Sequence, residues 1–103
     1  MTNSRAKGAR GEREFAALLR DHGLVAYRGQ QFRGGADSPD VVCESLPEVH
    51  FEVKRVQRLD LVAAMAQTIR DAGDKTPVVA HRRNNEPWLI TMRFDEWLAL
   101  ATK

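Results

Sequence analysis

Phe15, Leu18, Leu19 and His22 recur at helical spacing, which predicts a first helix over residues 4–21 that stops at Gly23. A short apolar run, Leu24-Val25-Ala26-Tyr27, predicts a strand, and residues 29–38, with Gly34-Gly35 at their middle, predict the one long loop. The pattern then becomes β-prone, with a second strand at 40–44, a turn through Leu46-Pro47-Glu48, and a third strand at 49–56. A second helix is expected over 59–72, with Val62, Met65, Ala66 and Ile69 as its buried stripe and Gly73 as its end. Strand four follows at 77–81, a turn at 84–87 and strand five at 88–92. A last helix at 94–101 is expected to bury Phe94, Trp97 and Leu98, and both Trp88 and Trp97 are assigned to the core. The order α-β-β-β-α-β-β-α implies an α/β fold, a mixed five-stranded sheet flanked by helices.

Composition narrows the classes. A chain of 103 residues is sized for one domain, 1–103, with room for a small sheet and two or three helices. There is no run of 18 apolar residues, so no membrane span is expected, and the first residues lack the apolar centre of a signal peptide. Cys43 is the only cysteine, which excludes an internal disulfide and a cysteine-based zinc site. It reads as a buried thiol in a cytoplasmic protein. Net charge is only +2, but residues 1–35 hold seven Lys and Arg (Arg5, Lys7, Arg10, Arg13, Arg20, Arg28, Arg33) against three acids. A basic arm next to an acidic remainder suits phosphate attraction around a cation site, although a solvated helix face gives the same count.

Candidate chemistry sits on the β-prone runs. Asp40 follows Pro39 at the start of one, and Glu52 and Lys54 interrupt another, Val49-His50-Phe51-Glu52-Val53-Lys54. Alternation along a strand puts Glu52 and Lys54 on one face, and a neighbouring strand could set Asp40 beside them. Two carboxylates and an ammonium are costly on apolar strands unless a cation and a substrate use them. Hard oxygen ligands from Asp40 and Glu52 suit Mg²⁺, with Mn²⁺ as substitute, better than zinc. Lys54 could then orient a water or offset phosphate charge. On the first helix, Glu12 lies about 60° and Glu14 about 100° from the centre of the apolar stripe. Glu12 is therefore expected to reach inward and Glu14 to face solvent. Each residue alone has a plainer reading: a turn cap for Asp40, the wet face of an edge strand for Glu52 and Lys54, an exposed helix acid for Glu12. Neither His22 nor His50 has metal-ligand spacing, and neither is assigned to a site.

Taken together, Glu12, Pro39-Asp40 and Glu52-Val53-Lys54 resemble the PD-(D/E)xK nuclease core, whose α-β-β-β-α-β order matches roughly the first 80 residues. Within that restriction-endonuclease-like superfamily, Lys7-Gly8-Ala9-Arg10-Gly11-Glu12-Arg13-Glu14 and Val25-Ala26-Tyr27-Arg28 are most similar to the archaeal-type Holliday junction resolvases. Compact nucleases of this build also occur among phage and mobile-element proteins. The resemblance implies a Mg²⁺-dependent endodeoxyribonuclease acting on branched DNA as a homodimer and leaving 5′-phosphate and 3′-hydroxyl ends. It implies Glu12, Asp40, Glu52 and Lys54 as catalytic. Asp40, Glu52 and the Val53 carbonyl would hold the metal, with Glu12 acting through water. Arg10, Arg13, Arg28, Arg33 and Arg55 are the phosphate-binding candidates, with Gln67, Arg82 and Arg83 as secondary ones. Two alternatives stay open: a flap, nicking or restriction-like nuclease on other DNA shapes, and a non-catalytic DNA-binding subunit with the same fold.

Overall fold

The first helix, α1 (Ser4–Asp21), ends where the sequence supplies a residue able to turn the backbone. Gly23 takes a φ of 85°, and the N–H groups of Gly23 and Leu24 close onto the carbonyls of Arg20 and Leu19 at 2.9 and 3.1 Å. That paired closure satisfies two carbonyls the helix would otherwise leave open. The computed structural model describes residues 4–29 and 39–103, with side chains from residue 8 onward. After α1 come β1 (Ala26–Arg28), β2 (Val41–Cys43), β3 (Val49–Arg55), α2 (Leu61–Ala72), β4 (Thr76–Arg82), β5 (Leu89–Thr91) and α3 (Phe94–Ala101). The strands form one mixed sheet in the order β1-β2-β3-β4-β5. Only β3 and β4 are parallel, which requires a crossover, and α2 provides it.

Each face of the sheet has its own cover. Phe15 and Ala16 of α1 close over Ala26, Val41, Cys43, Phe51, Val53, Val78 and Ala80, all buried. The strand register places Phe51 beside Val78 and Val53 beside Ala80, so these residues share the α1 face. Phe15 meets Phe51 edge-on at 5.3 Å between ring centroids and Trp88 at 5.1 Å. The opposite face carries His50, Glu52, Val79 and, above them, α2.

Two expected apolar stripes lie elsewhere. On α2 the buried residues are Ala64, Thr68 and Ala72, while Val62 is 83% exposed and Ile69 36%. A crossover helix lying flat on a parallel strand pair needs small residues at the contact, and the Thr68 hydroxyl is satisfied by the Ala64 carbonyl at 2.7 Å. Counting large side chains therefore picked the wrong face. On α3 nothing is buried: Phe94, Trp97 and Leu98 are 70%, 50% and 41% exposed, so Trp97 is not a core residue. The helix borders an open apolar groove over the α1 face of the sheet and does not close down onto it. Trp88, by contrast, packs against the core, and Cys43 is buried as expected.

Candidate active site

The site forms where β2 and β3 part. Their ladder has a single register pair, Val41 with Phe51, flanked by the Asp40 N–H donating to the Phe51 carbonyl at 2.9 Å. One step further on, the Val53 N–H turns to the Asp40 side chain instead, donating to Oδ2 at 2.9 Å. A residue's N–H and C=O leave an extended strand on the same edge, so the Val53 carbonyl also faces the fork. Gly29 holds Asp40 from behind: its N–H donates to the Asp40 carbonyl at 2.9 Å. A Cβ there would lie 2.1 Å from the Pro39 carbonyl oxygen, an approach that only glycine permits.

Glu12 arrives from α1 by a similar device. A Cβ on Gly11 would stand 2.5 Å from the Arg55 Cβ, so the missing side chain lets α1 settle onto the end of β3. Glu12 is then only 8% exposed and accepts a hydrogen bond from Arg28 Nε at 2.7 Å. Burial pushes its carboxyl above the ordinary glutamate range, the Arg28 hydrogen bond pulls it back in part, and the nearby Asp40 charge raises it again. Glu52 is 5% exposed and Asp40 9%, both buried for acids. Glu12, Asp40, Glu52, Val53, Lys54 and Gln67 line one cleft of about 330 Å³, completed by Gly8, Arg55 and Val56. Larger hollows exist, including an apolar groove of about 490 Å³ beneath α3, but its acids, Glu48 and Glu96, are not among the buried ones that line this cleft.

Gln67 reaches the cleft because α2 rests on Ala64, Thr68 and Ala72, which turns Gln67 toward the flank of β3. A wheel centred on Val62 and Ile69 points it away. His50 is the residue the sequence reading passed over. It is 2% exposed, and its Nε2 lies 3.4 Å from Glu52 Oε1. The signal was its position two residues before Glu52, on the same strand face. Glu14 also departs from expectation. It is half-buried, pairs with Arg82, accepts from Trp88 Nε1 at 3.2 Å and faces Arg55 Nε at 3.6 Å. These partners lie far along the chain, so no local pattern announces them.

The arginines therefore divide. Arg10 and Arg13 are exposed beside the cleft, and Arg28 is engaged with Glu12. Arg55 donates to Asn84 Oδ1 at 2.7 Å as well as facing Glu14. Arg82 donates to the Glu86 carbonyl at 2.5 Å, and Arg83 is exposed. Arg33 lies outside the described residues.

Among the described residues, no group of three or more His, Cys, Asp and Glu side chains is disposed to hold a metal by itself. The donors at the fork are instead two carboxylates, Asp40 and Glu52, with the Val53 carbonyl. That hard, sparse set fits Mg²⁺, which keeps several waters and takes only one or two carboxylates together with substrate phosphate.

The family model of the archaeal Holliday junction resolvase (Hjc) matches residues 3–97. No curated protein matches the chain. Among solved structures, the chain is similar to the 1.6 Å structure of Archaeoglobus fulgidus Hjc, a Holliday junction resolvase from an archaeal hyperthermophile. The identity is 26% and the TM-score 0.57, over 84% of this chain and 72% of that one.

Proposed function

Because the chain belongs to the archaeal Holliday junction resolvase family and is accordingly a Holliday junction resolvase-like nuclease, we propose that it cuts branched DNA at the β2–β3 fork with Mg²⁺ as cofactor. The observation that carries this reading is the convergence of Glu12, Asp40, Glu52 and Lys54 on one cleft, with Asp40 tied to the strand that bears the other two. Asp40, Glu52 and the Val53 carbonyl would hold the metal, with Glu12 acting through a water. When bound, the ion supplies Lewis acidity toward the phosphate and a more acidic water.

The protein's own groups do the rest. Lys54, on the same face as Glu52 and lining the same cleft, would use its ammonium to orient the attacking water or offset charge on the scissile phosphate. Glu12, favoured toward its protonated form by burial, is suited to accept or return a proton at its carboxyl oxygen. Gln67 reaches over the cleft from α2 as a neutral hydrogen-bond partner for water or phosphate. Arg10, Arg13, Arg28 and Arg33 would take the flanking phosphates, with Arg55 and Arg83 on the far side. In-line attack leaves 5′-phosphate and 3′-hydroxyl ends.

A homodimer would suit this reading on family likeness and size together: with a Cα radius of gyration of 13.2 Å, one copy is small for addressing two opposed strands of a junction. No helix among the described residues is long and apolar enough to cross a membrane, and the cytoplasm is where such a DNA substrate would be met. The test is cleavage of four-way, forked and linear duplexes with and without Mg²⁺. Cutting of the four-way junction in Mg²⁺ and not in EDTA is expected. Cleavage that survives Asp40→Ala or Lys54→Ala would refute the site assignment.

A further inference from the structure

Lys54, His81 and Leu89 are register partners on β3, β4 and β5, so their side chains share the α2 face of the sheet in one row. Strands lie about 4.8 Å apart, which puts Leu89 about 10 Å across the sheet from Lys54. The far end of that row opens into a hollow of about 500 Å³ that shares Val56 with the cleft. Its apolar walls are the β3–α2 link, through Val56 and Leu59, and the β4–β5 side, through Pro87 and Leu89. Asn84 ties the two walls together: its N–H donates to Gln57 Oε1 at 2.5 Å, and its Oδ1 accepts from Arg55 at 2.7 Å. Three arginines, Arg58, Arg82 and Arg83, line the hollow against one carboxylate, Glu86. Arg82 is engaged by Glu14 and the Glu86 carbonyl, whereas no acid among the described residues pairs with Arg58 or Arg83. We propose that this hollow takes one unpaired nucleotide of the DNA substrate, its base against Leu59 and Leu89 and its phosphate on Arg58 and Arg83.

The chemistry of the walls selects that occupant. Leu89 is 55% exposed, and apolar surface of this kind offers nothing to a phosphodiester backbone. A base gains by leaving water there, and it can stack under a guanidinium plane. The two uncommitted arginines supply the countercharge for the strand that carries the base. Position fits as well. At most about 7 Å of chain separates Val56 from Lys54, and stacked nucleotides are about 3.4 Å apart, so the hollow stands roughly two to three nucleotides from the scissile phosphate. A paired base must be unstacked before it can enter, and that cost is least where pairing is already lost. The hollow thus reads a branch as unpaired DNA beside the cut. The proposal rests on the nuclease reading for the identity of the polymer.

The experiment titrates the full chain into four-way junctions carrying 2-aminopurine at successive positions on either side of the branch, with Ca²⁺ replacing Mg²⁺ so that bound DNA stays uncut. Fluorescence should rise about 3-fold or more at one position as that base leaves the stack, since no Trp, Tyr or Phe lines the hollow to quench it. A mismatch at the same position should tighten binding by about 5-fold or more. Leu89→Ser and, on the opposite wall, Leu59→Ser should abolish both responses with unchanged far-ultraviolet dichroism. Arg58→Ala should instead weaken matched and mismatched junctions alike and lower the salt slope by about 1. Lys75→Ala, just before the opposite end of β4, removes one charge and should change neither response. No fluorescence rise at any position, or a mismatch preference kept in both leucine variants, overturns the hollow as a nucleotide site. So does calorimetric binding of free dAMP that Leu89→Ser weakens while the junction gives no response, which would make this a free-nucleotide site. Junction cutting in Mg²⁺ without any fluorescence response sinks this inference and leaves the nuclease reading standing. A response without cutting does the reverse.

Discussion

Gly11→Ala is the sharpest test of how Glu12 reaches the cleft. The added Cβ would lie 2.5 Å from the Arg55 Cβ, whereas carbon atoms in contact sit about 3.5–4.0 Å apart. The neighbour is a Cβ fixed to the β3 backbone, so α1 must lift from the strand by about 1 Å or more rather than push aside a flexible tip. Overpacking of this kind costs about 1–3 kcal/mol, while glycine to alanine inside a helix returns about 0.8–1 kcal/mol. The net is a loss of about 1 kcal/mol, or about 4–8 °C in Tm for a domain of this size. Gly8→Ala is the internal control, since a Cβ there meets nothing within 4 Å. It should gain the helical increment alone and raise Tm. The lift also carries Glu12 away from Asp40, and a 1 Å misplacement at a reacting centre can cost about 100-fold in rate. Thermal unfolding of both variants, with single-turnover junction cleavage for Gly11→Ala, checks the two halves. A Gly11→Ala protein as stable as Gly8→Ala and as active as wild type would mean that α1 does not sit on β3 as described.

Asp40→Asn keeps an acceptor for the Val53 N–H but removes a buried charge near Glu12, so Tm should hold or rise while cleavage falls by about 100-fold or more. A fall in Tm without loss of cleavage contradicts the assignment. His50→Leu removes the ring nitrogen beside Glu52, and Mn²⁺ affinity measured by calorimetry should weaken by about 10-fold, as for other groups that orient a metal-binding side chain. Unchanged affinity would reduce His50 to a packing residue. Burial lowers the His81 pKa below 6.5, so the folded state binds fewer protons than the unfolded one, and stability is lost as pH falls through the window just under 6.5. Chemical denaturation of wild type and His81→Gln from pH 5 to 8 should show the wild type losing ground below about pH 6.5. Parallel curves exclude that linkage.

The sequence by itself determined the order of elements, because period-2 and period-3.6 patterns are local and glycines mark the helix ends. It also singled out Glu12 over Glu14 and put Glu52 with Lys54, since a helix wheel and strand alternation are both short-range rules. It failed where burial depends on what lies across the gap. Ala64, Thr68 and Ala72 are buried because a crossover helix presses on β3 and β4, and small residues give no hydrophobic signal for this. Phe94 and Trp97 look like core but stay 70% and 50% exposed, because α3 follows the last strand and does not bury that side against the sheet. Gln67 and His50 join the site only after α2 has chosen its face and β3 its depth. Glu14, Arg82 and Trp88 meet across more than sixty residues of chain. The acids were legible because their cost is intrinsic to each strand. Their convergence was expected from strand alternation, the helix wheel and the family resemblance, but the means were not legible: β2 and β3 part at Asp40 and α1 descends at Gly11, and both are properties of packed backbones rather than of any segment.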